Sequence, residues 1–315
     1  MQSLFRGRHF IDVEDFSKEE VDTMLEVSFD FKKNFAMGVP TPTLQYKTMF
    51  LMFFEQSTRT RNSMEAGIAQ LGGHANYLDT SSMQIAHGES PKDTAIILSR
   101  FGHAIACRYC NWGIGNKYLN EMAKWSAVPV MNLQCDLYHP FQVLADLMTM
   151  KEKKGKLQGL NFVFIGDGDD NLTHSYLLGC SLVGMNVTVI SPKKHWPKEQ
   201  YVLKAREISA QKNHTVTVTD DINAVTQADV VATDTWVSFW YENERAQRLT
   251  HLKNYTITQD VMRKAKPDAI FMHCMPIYYG EEVTKEVAHG PQSVIIDEAE
   301  NRMWVQMALL TTLLR

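Results

Sequence analysis

The sequence predicts an α/β protein with two doubly wound domains, each built around a central parallel sheet. Three observations lead to this prediction. Short apolar runs typical of buried strands alternate with segments of helical periodicity along the whole chain. The length of 315 residues is enough for two domains of ordinary size. A charged stretch at 151–159, which contains two glycines, interrupts this alternation of strands and helices, and the alternation restarts after it. This stretch is therefore the best candidate for the boundary between the two domains.

Composition and charge exclude several classes of protein. The 32 Lys and Arg residues against 36 Asp and Glu give a net charge of -4, which argues against nucleic acid or an anionic membrane as the main partner. The 5 cysteines do not indicate a disulfide framework and fit a reducing compartment. No apolar run approaches the roughly 18 residues of a membrane helix, and the first residues lack the apolar stretch of a signal peptide. We therefore expect a cytoplasmic protein.

In the first half of the chain, the elements follow from capping and periodicity. A capping box formed by Ser17 and Glu20 opens a helix whose apolar stripe extends to Phe35. All-apolar runs that predict buried parallel strands lie at 49–54, 104–107 and 128–131. Further helices are predicted at 61–71 and 141–154.

In the second half, apolar runs alternate with helical patterns in the same way. The runs that predict strands lie at 162–165, 187–190, 229–232, 269–272 and 294–296. Strands that alternate with helices pair in parallel through right-handed crossovers. Ligands of such sheets bind beyond the carboxyl ends of the strands, so polar residues that follow a strand are the first candidates for a functional site.

The sharpest local signal is the pentapeptide Ser-Thr-Arg-Thr-Arg at 57–61. It follows a predicted buried strand and opens a predicted helix. Hydroxyl groups, the free backbone N–H groups of a helix N-terminus and guanidinium groups together make an anion site. The same pentapeptide also fits a capped helix with solvated arginines, and the local sequence does not decide between the two.

Two weaker motifs lie at helix starts. Pro140 places His139 just outside its helix and Gln142 within the first turn, where both side chains can point into a cleft. A histidine before proline is more often a capping or core residue. Glu298 and Arg302 open the last helix, where Arg302 either reaches an anion or forms an ordinary i,i+4 pair with Glu298.

Two further motifs follow predicted strands. Asp234 and Ser238 are placed to hold a cationic amine and a polar backbone group, although an aspartate at such a position commonly caps the next helix. His273 and Cys274 suggest a base and a nucleophile. Neighbours in sequence rarely have the geometry that such a pair needs, so a structural cysteine is the simpler interpretation.

Two motifs that suggest other functions are incomplete. Gly166 and Gly168 follow a strand, but Asn171 stands where the dinucleotide-binding fingerprint has its third glycine. This argues against a nucleotide-dependent dehydrogenase. Cys107 and Cys110 have a metal-like spacing, but the chain has no second pair of this kind.

In this order and spacing, the five motifs resemble those of the aspartate/ornithine transcarbamylase superfamily, and within it the ornithine carbamoyltransferases. The resemblance covers nearly the whole chain. It implies a carbamoyl-phosphate domain over residues 1–150 and an amino-acid domain over 151–315. The first and last helices would cross between the domains, with the helix at 298–315 packing back on the first. The usual assembly of the family is a trimer, or a multiple of trimers, with shared active sites.

The resemblance also implies site residues, position by position. The carbamoyl-phosphate site would consist of Ser57, Thr58, Arg59, Thr60, Gln84, Arg108, His139, Gln142, Cys274, Met275 and Arg302. Gln84 would be lent to the site of the neighbouring subunit. The acceptor site would consist of Asn171, Asp234, Ser238 and Phe239. The catalytic residues would be Arg108, His139, Asp234 and Cys274. The resemblance implies no cofactor and no metal.

The leading hypothesis is transfer of a carbamoyl group from carbamoyl phosphate to the side-chain amine of L-ornithine. Phe239–Trp240 replace the usual Met-Gly, and Asp169–Asp170 add negative charge. Both changes favour another acceptor, such as putrescine, agmatine, lysine or a modified amino acid. A third hypothesis is a non-catalytic paralogue, which the presence of Arg59 and the other anion-site residues opposes.

Overall fold

The computed structural model describes residues 5–211, 213–238 and 241–314. It divides into two compact units, Met1–Ala145 with Glu300–Arg315, and Asp146–Ala299. This division and the boundary predicted after residue 150 both fall within one helix, Pro140–Lys154. That each unit is a domain with its own ligand stays a prediction.

The first unit contains a parallel sheet with the strand order β2-β1-β3-β4. Its strands are β1 (Thr48–Phe53), β2 (His74–Asp79), β3 (Ala104–Tyr109) and β4 (Val130–Cys135). Its helices are α1 (Lys18–Ala36), α2 (Arg59–Gln70), α3 (Pro91–Phe101), α4 (Gly115–Trp125) and the first part of α5 (Pro140–Lys154). The capping box of Ser17 and Glu20 is present at the start of α1.

The second unit contains a parallel sheet with the strand order β7-β6-β5-β8-β9. Its strands are β5 (Asn161–Ile165), β6 (Asn186–Ile190), β7 (Val216–Thr219), β8 (Val230–Thr233) and β9 (Ile270–His273). Its helices are α6 (Asn171–Leu182), α7 (Glu199–Ala210), α8 (Arg245–Leu252), α9 (Gln259–Lys264) and α10 (Lys285–Ala288). The last helix, α11 (Ile295–Leu314), begins in this unit and joins the first unit from Glu300.

Short 3-10 helices complete the described elements. They lie at Val13–Asp15, Thr80–Ser82, Gln84–His87, Lys193–His195, Ile222–Val225, Glu242–Glu244 and Lys253–Tyr255. No helix in the described ranges combines the length and the apolar character needed to cross a bilayer.

The strand orders confirm the predicted α/β class with two parallel sheets. In each sheet the order reverses beside a central strand, between β1 and β3 in the first unit and between β5 and β8 in the second. At such a point the connections leave in opposite directions and open a crevice at the carboxyl ends of the strands. The polar motifs that follow these strands therefore lie at the two crevices.

Some predicted elements differ from the structure. The strand predicted at 294–296 is wrong, because α11 begins at Ile295, and only Ser293 bridges to Phe271 of β9. A three-residue apolar run has no period that separates a strand from a buried helix start. Phe35 is 53% exposed and so is not part of the buried stripe of α1. Strands β2 and β7 were not predicted, because each lies at a sheet edge and is only partly buried.

Candidate functional site

The N-terminus of α2 brings hydroxyl and guanidinium groups together in the first unit. Thr58, at the N-cap, makes no side-chain capping hydrogen bond, and Thr60 is buried in the first turn. Arg108 of β3 donates to Ser57 Oγ at 3.4 Å and to Thr60 Oγ1 at 3.5 Å. Arg302 of α11 donates to Thr60 Oγ1 at 3.1 Å. Helix N-terminal amides, hydroxyls and two guanidinium groups at one place have the chemistry of an anion site.

Arg108 is buried, and no carboxylate among the described residues lies at ion-pair distance from it. It is 7% exposed, and within the described ranges its Nε has no hydrogen-bond partner. Burial raises the pKa of Glu55, and the charge of nearby Arg108 opposes this rise only in part. Its two carboxylate oxygens accept from the Cys110 amide at 3.1 and 3.2 Å, which fixes the end of β3 instead. A buried charge is costly unless it is compensated, so Arg108 is suited to a bound anion.

His139 lies beside the same guanidinium groups at the start of α5. It is 4% exposed, and Gln142 in the first turn is fully buried. Burial holds the pKa of His139 well below its ordinary value of 6.5, and the charges of Arg302, Arg108 and Arg59 lower it further. The imidazole is therefore neutral at pH 7 and carries one N–H donor. A neutral donor can bind a carbonyl oxygen without exchanging a proton with it.

The neutral state of His139 predicts a pH effect on stability. In the unfolded chain the imidazole takes up a proton near pH 6.5, whereas in the folded chain it does not. The stabilising contribution is present above that pH and is lost as the pH falls below it. The His139→Gln variant has no imidazole at this position and is expected not to show this loss. Below pH 6.5, its free energy of unfolding should therefore rise relative to that of the parent by up to about 1.4 kcal/mol for each pH unit. Urea unfolding at pH 5, 6 and 7 measures this difference, and a difference independent of pH would contradict a neutral His139.

Arg61 and Gln84, which the sequence analysis also names, have no described contact with Arg108, His139 or Arg302. The Arg61 guanidinium lies 3.5 Å from the ring centroid of Tyr77 and pairs with Glu65 at 2.9 Å, so it is already satisfied. These three residues line an open cavity of about 370 Å³ together with Gln56, Ser57, Thr58 and Asn62. Gln84 is exposed in its 3-10 helix, and no described contact joins its side chain to the anion site of its own chain.

In the second unit, Asp234 and Cys274 meet at the ends of two adjacent strands. Thr233 of β8 is in register with His273 of β9, which places the following residues side by side. Asp234 Oδ1 accepts from the Thr235 amide at 2.7 Å and from Cys274 Sγ at 3.2 Å. The alternative that Asp234 caps a helix is wrong, because no helix begins directly after it. Burial raises the pKa of Asp234, and the neighbouring His273 opposes this rise.

His273 positions the loop that carries Cys274 and is not its base. Its Nδ1 accepts from the Met275 amide at 2.9 Å, which leaves the proton on Nε2, 3.1 Å from Glu282 Oε1. These bonds hold Met275 at a φ of 59°, in the left-handed region. Donor atoms of Asp234, His273 and Cys274 lie within 4.8 Å of one another, as a metal site requires. A metal would have to displace one of the two hydrogen bonds of the His273 ring.

Substitutions of Glu282 and of its neighbour Glu281 test whether Glu282 stabilises the loop that carries Cys274. Fully buried Glu282 accepts from the Tyr278 amide at 2.7 Å as well as from His273. Glu282→Ala leaves two donors without an acceptor, so we expect a loss of about 3 kcal/mol in the free energy of unfolding. Glu281→Ala removes only a partly exposed ion pair with Arg245 and is expected to cost about 1 kcal/mol or less. Equal losses in urea unfolding would contradict the role of Glu282.

The remaining predicted acceptor residues lie around the start of α6 and after β8. Asn171 is the first residue of α6, and Asp170 before it caps the helix by accepting from Leu172 at 2.9 Å. Burial raises the pKa of Asp170 well above its ordinary value, and the carboxylates of Asp234 and Asp167 raise it further. Ser238 is half-buried four residues after Asp234. Phe239 and Trp240, which the sequence analysis singled out, lie outside the described residues.

Family models match both halves of the chain. The model described as "Aspartate/ornithine carbamoyltransferase, carbamoyl-P binding domain" matches residues 8–152, and that described as "Aspartate/ornithine carbamoyltransferase, Asp/Orn binding domain" matches 158–313. The chain belongs to the aspartate/ornithine carbamoyltransferase family. The predicted resemblance is thereby confirmed.

Individual members of the family are similar over almost their entire length. The ornithine carbamoyltransferase of Oceanobacillus iheyensis is 42% identical over 314 residues, which cover 99% of this chain and 96% of that protein. The catabolic ornithine carbamoyltransferase of Thermoplasma volcanium is 42% identical over 298 residues, covering 94% and 95%. The structure of the ornithine carbamoyltransferase from Pyrococcus furiosus has a TM-score of 0.94 at 38% identity and covers 98% of each chain.

Sequence reasoning missed the roles of three side chains that hold loops next to the predicted site residues. Glu55 lies two residues before the pentapeptide, and an acid at the end of an apolar strand was an available signal. Glu282 gave no signal, because its partner His273 lies in a different element. Arg248 gave none either, because its partner Asp167 is 81 residues away in the chain.

Proposed function

We propose that this protein transfers the carbamoyl group of carbamoyl phosphate to the side-chain amine of L-ornithine, giving citrulline and phosphate. The observation that carries the proposal is the convergence of buried Arg108 and Arg302 on the Thr60 hydroxyl beside neutral His139. An anion with a carbonyl group attached matches this combination of charge and neutral donor. The relatives with similar sequences are named ornithine carbamoyltransferases.

The phosphate of the first substrate is bound by Ser57, Thr58, Arg59 and Thr60 at the N-terminus of α2. His139 and Arg108 donate to the carbonyl oxygen, Gln142 binds the carbamoyl amino group, and Arg302 adds positive charge. Negative charge builds on the carbonyl oxygen when the amine attacks, so donors that are already in place there supply the largest part of the rate acceleration. Cys274 and Met275 complete the carbamoyl site.

The second substrate is held by the loops that follow β5 and β8. Asn171 and Ser238 bind its α-amino acid end, and Asp234 and Cys274 orient the side-chain amine. Phe239 is a further residue of the acceptor site. The neutral amine forms the new C–N bond, the C–O bond to phosphate breaks, and the amine releases a proton. Because only the neutral amine attacks, the rate rises with pH until it reaches a plateau.

A second candidate function keeps the carbamoyl chemistry but changes the acceptor. The observation that favours it is Asp170, which lies close enough to Asp234 for that carboxylate to raise the pKa of Asp170, in addition to the larger effect of burial. Two acids at one site favour an acceptor that has no carboxylate of its own, such as putrescine or agmatine, over an amino acid such as ornithine.

The proposal extends to assembly and location. We propose a homotrimer, or a multiple of trimers, in which exposed Gln84 completes the site of the neighbouring subunit. We propose a cytoplasmic enzyme of arginine metabolism, a location supported by the 5 cysteines, all of which are free thiols. Light scattering gives the subunit number. Mixing Gln84→Ala with Arg108→Gln subunits then restores activity only if the sites are shared.

The decisive experiment is an acceptor panel. The purified protein is incubated with carbamoyl phosphate and ornithine, lysine, N-acetylornithine, putrescine, agmatine or aspartate, and phosphate release and ureido product are measured. We expect clear preference for ornithine. Preference for putrescine or agmatine would favour the second candidate. Absence of turnover on every amine, with carbamoyl phosphate still raising the Tm, would favour a non-catalytic paralogue.

A further inference from the structure

Asp167, which lies between Gly166 and Gly168 in the loop that follows β5, forms a buried ion pair with Arg248. Asp167 is 4% exposed, and Arg248 of α8 is 6% exposed. Arg248 Nη1 donates to Asp167 Oδ2, and His195 Nδ1 lies 3.7 Å from the other carboxylate oxygen. Burial acts to lower the pKa of Arg248, but Asp167 and the other neighbours outweigh it and raise that pKa, so the guanidinium stays charged. Neither residue belongs to the predicted sites.

Arg248 also holds the segment that follows β8. Its guanidinium carbon lies 3.5 Å from the ring centroid of Tyr241, and Nη1 lies 3.5 Å from the Trp236 carbonyl oxygen. Its Nε donates to Glu244 at 3.2 Å. One side chain therefore contacts Trp236 before Ser238 and Tyr241 after residues 239–240.

The loop that follows β5 is closely packed at Gly166 and at Gly168, so its backbone has little room to move. A Cβ atom at Gly168 would lie 2.5 Å from the His195 carbonyl oxygen. Gly166 has a φ of 149°, and a Cβ atom there would lie 3.3 Å from Trp236 Nε1. The loop is wedged between the segment that follows β6 and the segment that follows β8, and Asn171 lies just beyond it.

We propose that the Arg248–Asp167 pair is a positioning device that sets the distance between Asn171 and Ser238, and thereby the affinity for the amino-acid end of the acceptor. The proposal rests on the proposed function, which assigns both residues to the acceptor. Arg248 joins the loop after β5 to Trp236 and Tyr241 through its ion pair with Asp167, its bond to the Trp236 carbonyl and its cation–π contact with the Tyr241 ring. A pair of groups that must bind one ligand needs such a link, because small errors in their placement reduce productive binding.

The test compares Arg248→Lys and Arg248→Gln with Arg245→Gln, a matched change on the same helix. Arg245 pairs with Glu281 and has no described contact with Asp167. We expect both Arg248 variants to raise the KM for the acceptor about 10- to 100-fold while the KM for carbamoyl phosphate is unchanged. Lys keeps the charge but cannot contact Asp167, Glu244 and the Tyr241 ring together, so it also tests the idea if Gln fails to fold. Arg245→Gln should match the parent.

Hydrogen exchange measured by mass spectrometry gives a second readout that needs no turnover. We expect faster exchange at 166–172, at 236–238 and at Tyr241 in both Arg248 variants and no change in β1 or α2. An unchanged acceptor KM with unchanged exchange would overturn the proposal. Equal rises in both KM values, with faster exchange throughout, would also overturn it by showing a general loss of stability. If the parent protein turns over no amine, the proposed function fails, while the exchange data still decide whether Arg248 links the two segments.

Discussion

Arg108→Gln is expected to lower kcat about 1,000-fold. Arg108 donates to Ser57 and Thr60, where the phosphate and the carbonyl oxygen of carbamoyl phosphate are proposed to meet. Loss of one donor from a preorganised site costs about 100- to 1,000-fold in kcat, and a charged, forked donor belongs at the upper end of that range. Phosphate release at saturating concentrations of both substrates measures the effect.

Two comparisons separate this effect from a loss of folding. Arg263→Gln removes an exposed guanidinium paired with Asp260 at 2.7 Å, and this variant should keep the parent kcat. Because Arg108 is buried and has no ion-pair partner among the described residues, Arg108→Gln should not lower the Tm. A kcat within about tenfold of the parent would show that Arg108 is not needed at the carbonyl oxygen.

Asp234→Asn is expected to lower kcat/KM for the acceptor by about 100- to 1,000-fold. Asp234 lies at the end of β8 with its carboxylate on Thr235 and Cys274. Removing one partner from a desolvated charge contact costs about 2–5 kcal/mol, and each 1.4 kcal/mol is a factor of ten. The KM for carbamoyl phosphate should change much less, since Ser57, Thr58, Arg59 and Thr60, which are proposed to bind the phosphate, lie in the other unit.

The same substitution is expected to stabilise the protein. Burial raises the folded-state pKa of Asp234 above its ordinary value of 3.8, so the ionised carboxylate costs stability at neutral pH. The favourable contribution is present below pH 3.8 and is lost as the pH rises through the folded-state value. Asp234→Asn removes this cost, and urea unfolding at pH 7 should show a larger free energy of unfolding. Asp260→Asn, on the surface, is the control. A variant less stable than the parent would mean that its activity loss reports unfolding.

The motifs that follow strands could be located from sequence because their signals are local. The pentapeptide at 57–61 follows an apolar run and begins a helix, and both features are read within about ten residues. The structure adds that its two arginines have different surroundings. The charge of Arg59 lowers the pKa of His139, whereas Arg61 packs on the Tyr77 ring. Nothing in the local sequence distinguishes them, because the difference depends on where β2 lies in the sheet.

By itself, the sequence determined the α/β class, most strands and helices, and the motifs that resemble the transcarbamylases. These features depend on apolar periodicity, capping and turn residues within a short stretch of chain. Only the tertiary structure decided the partners of the functional groups. Arg302 and Thr60 are 242 residues apart, and Arg248 and Asp167 are 81 apart. Their meeting depends on strand order and packing, and burial in that packing sets the charge state of His139, so no local pattern could contain either result.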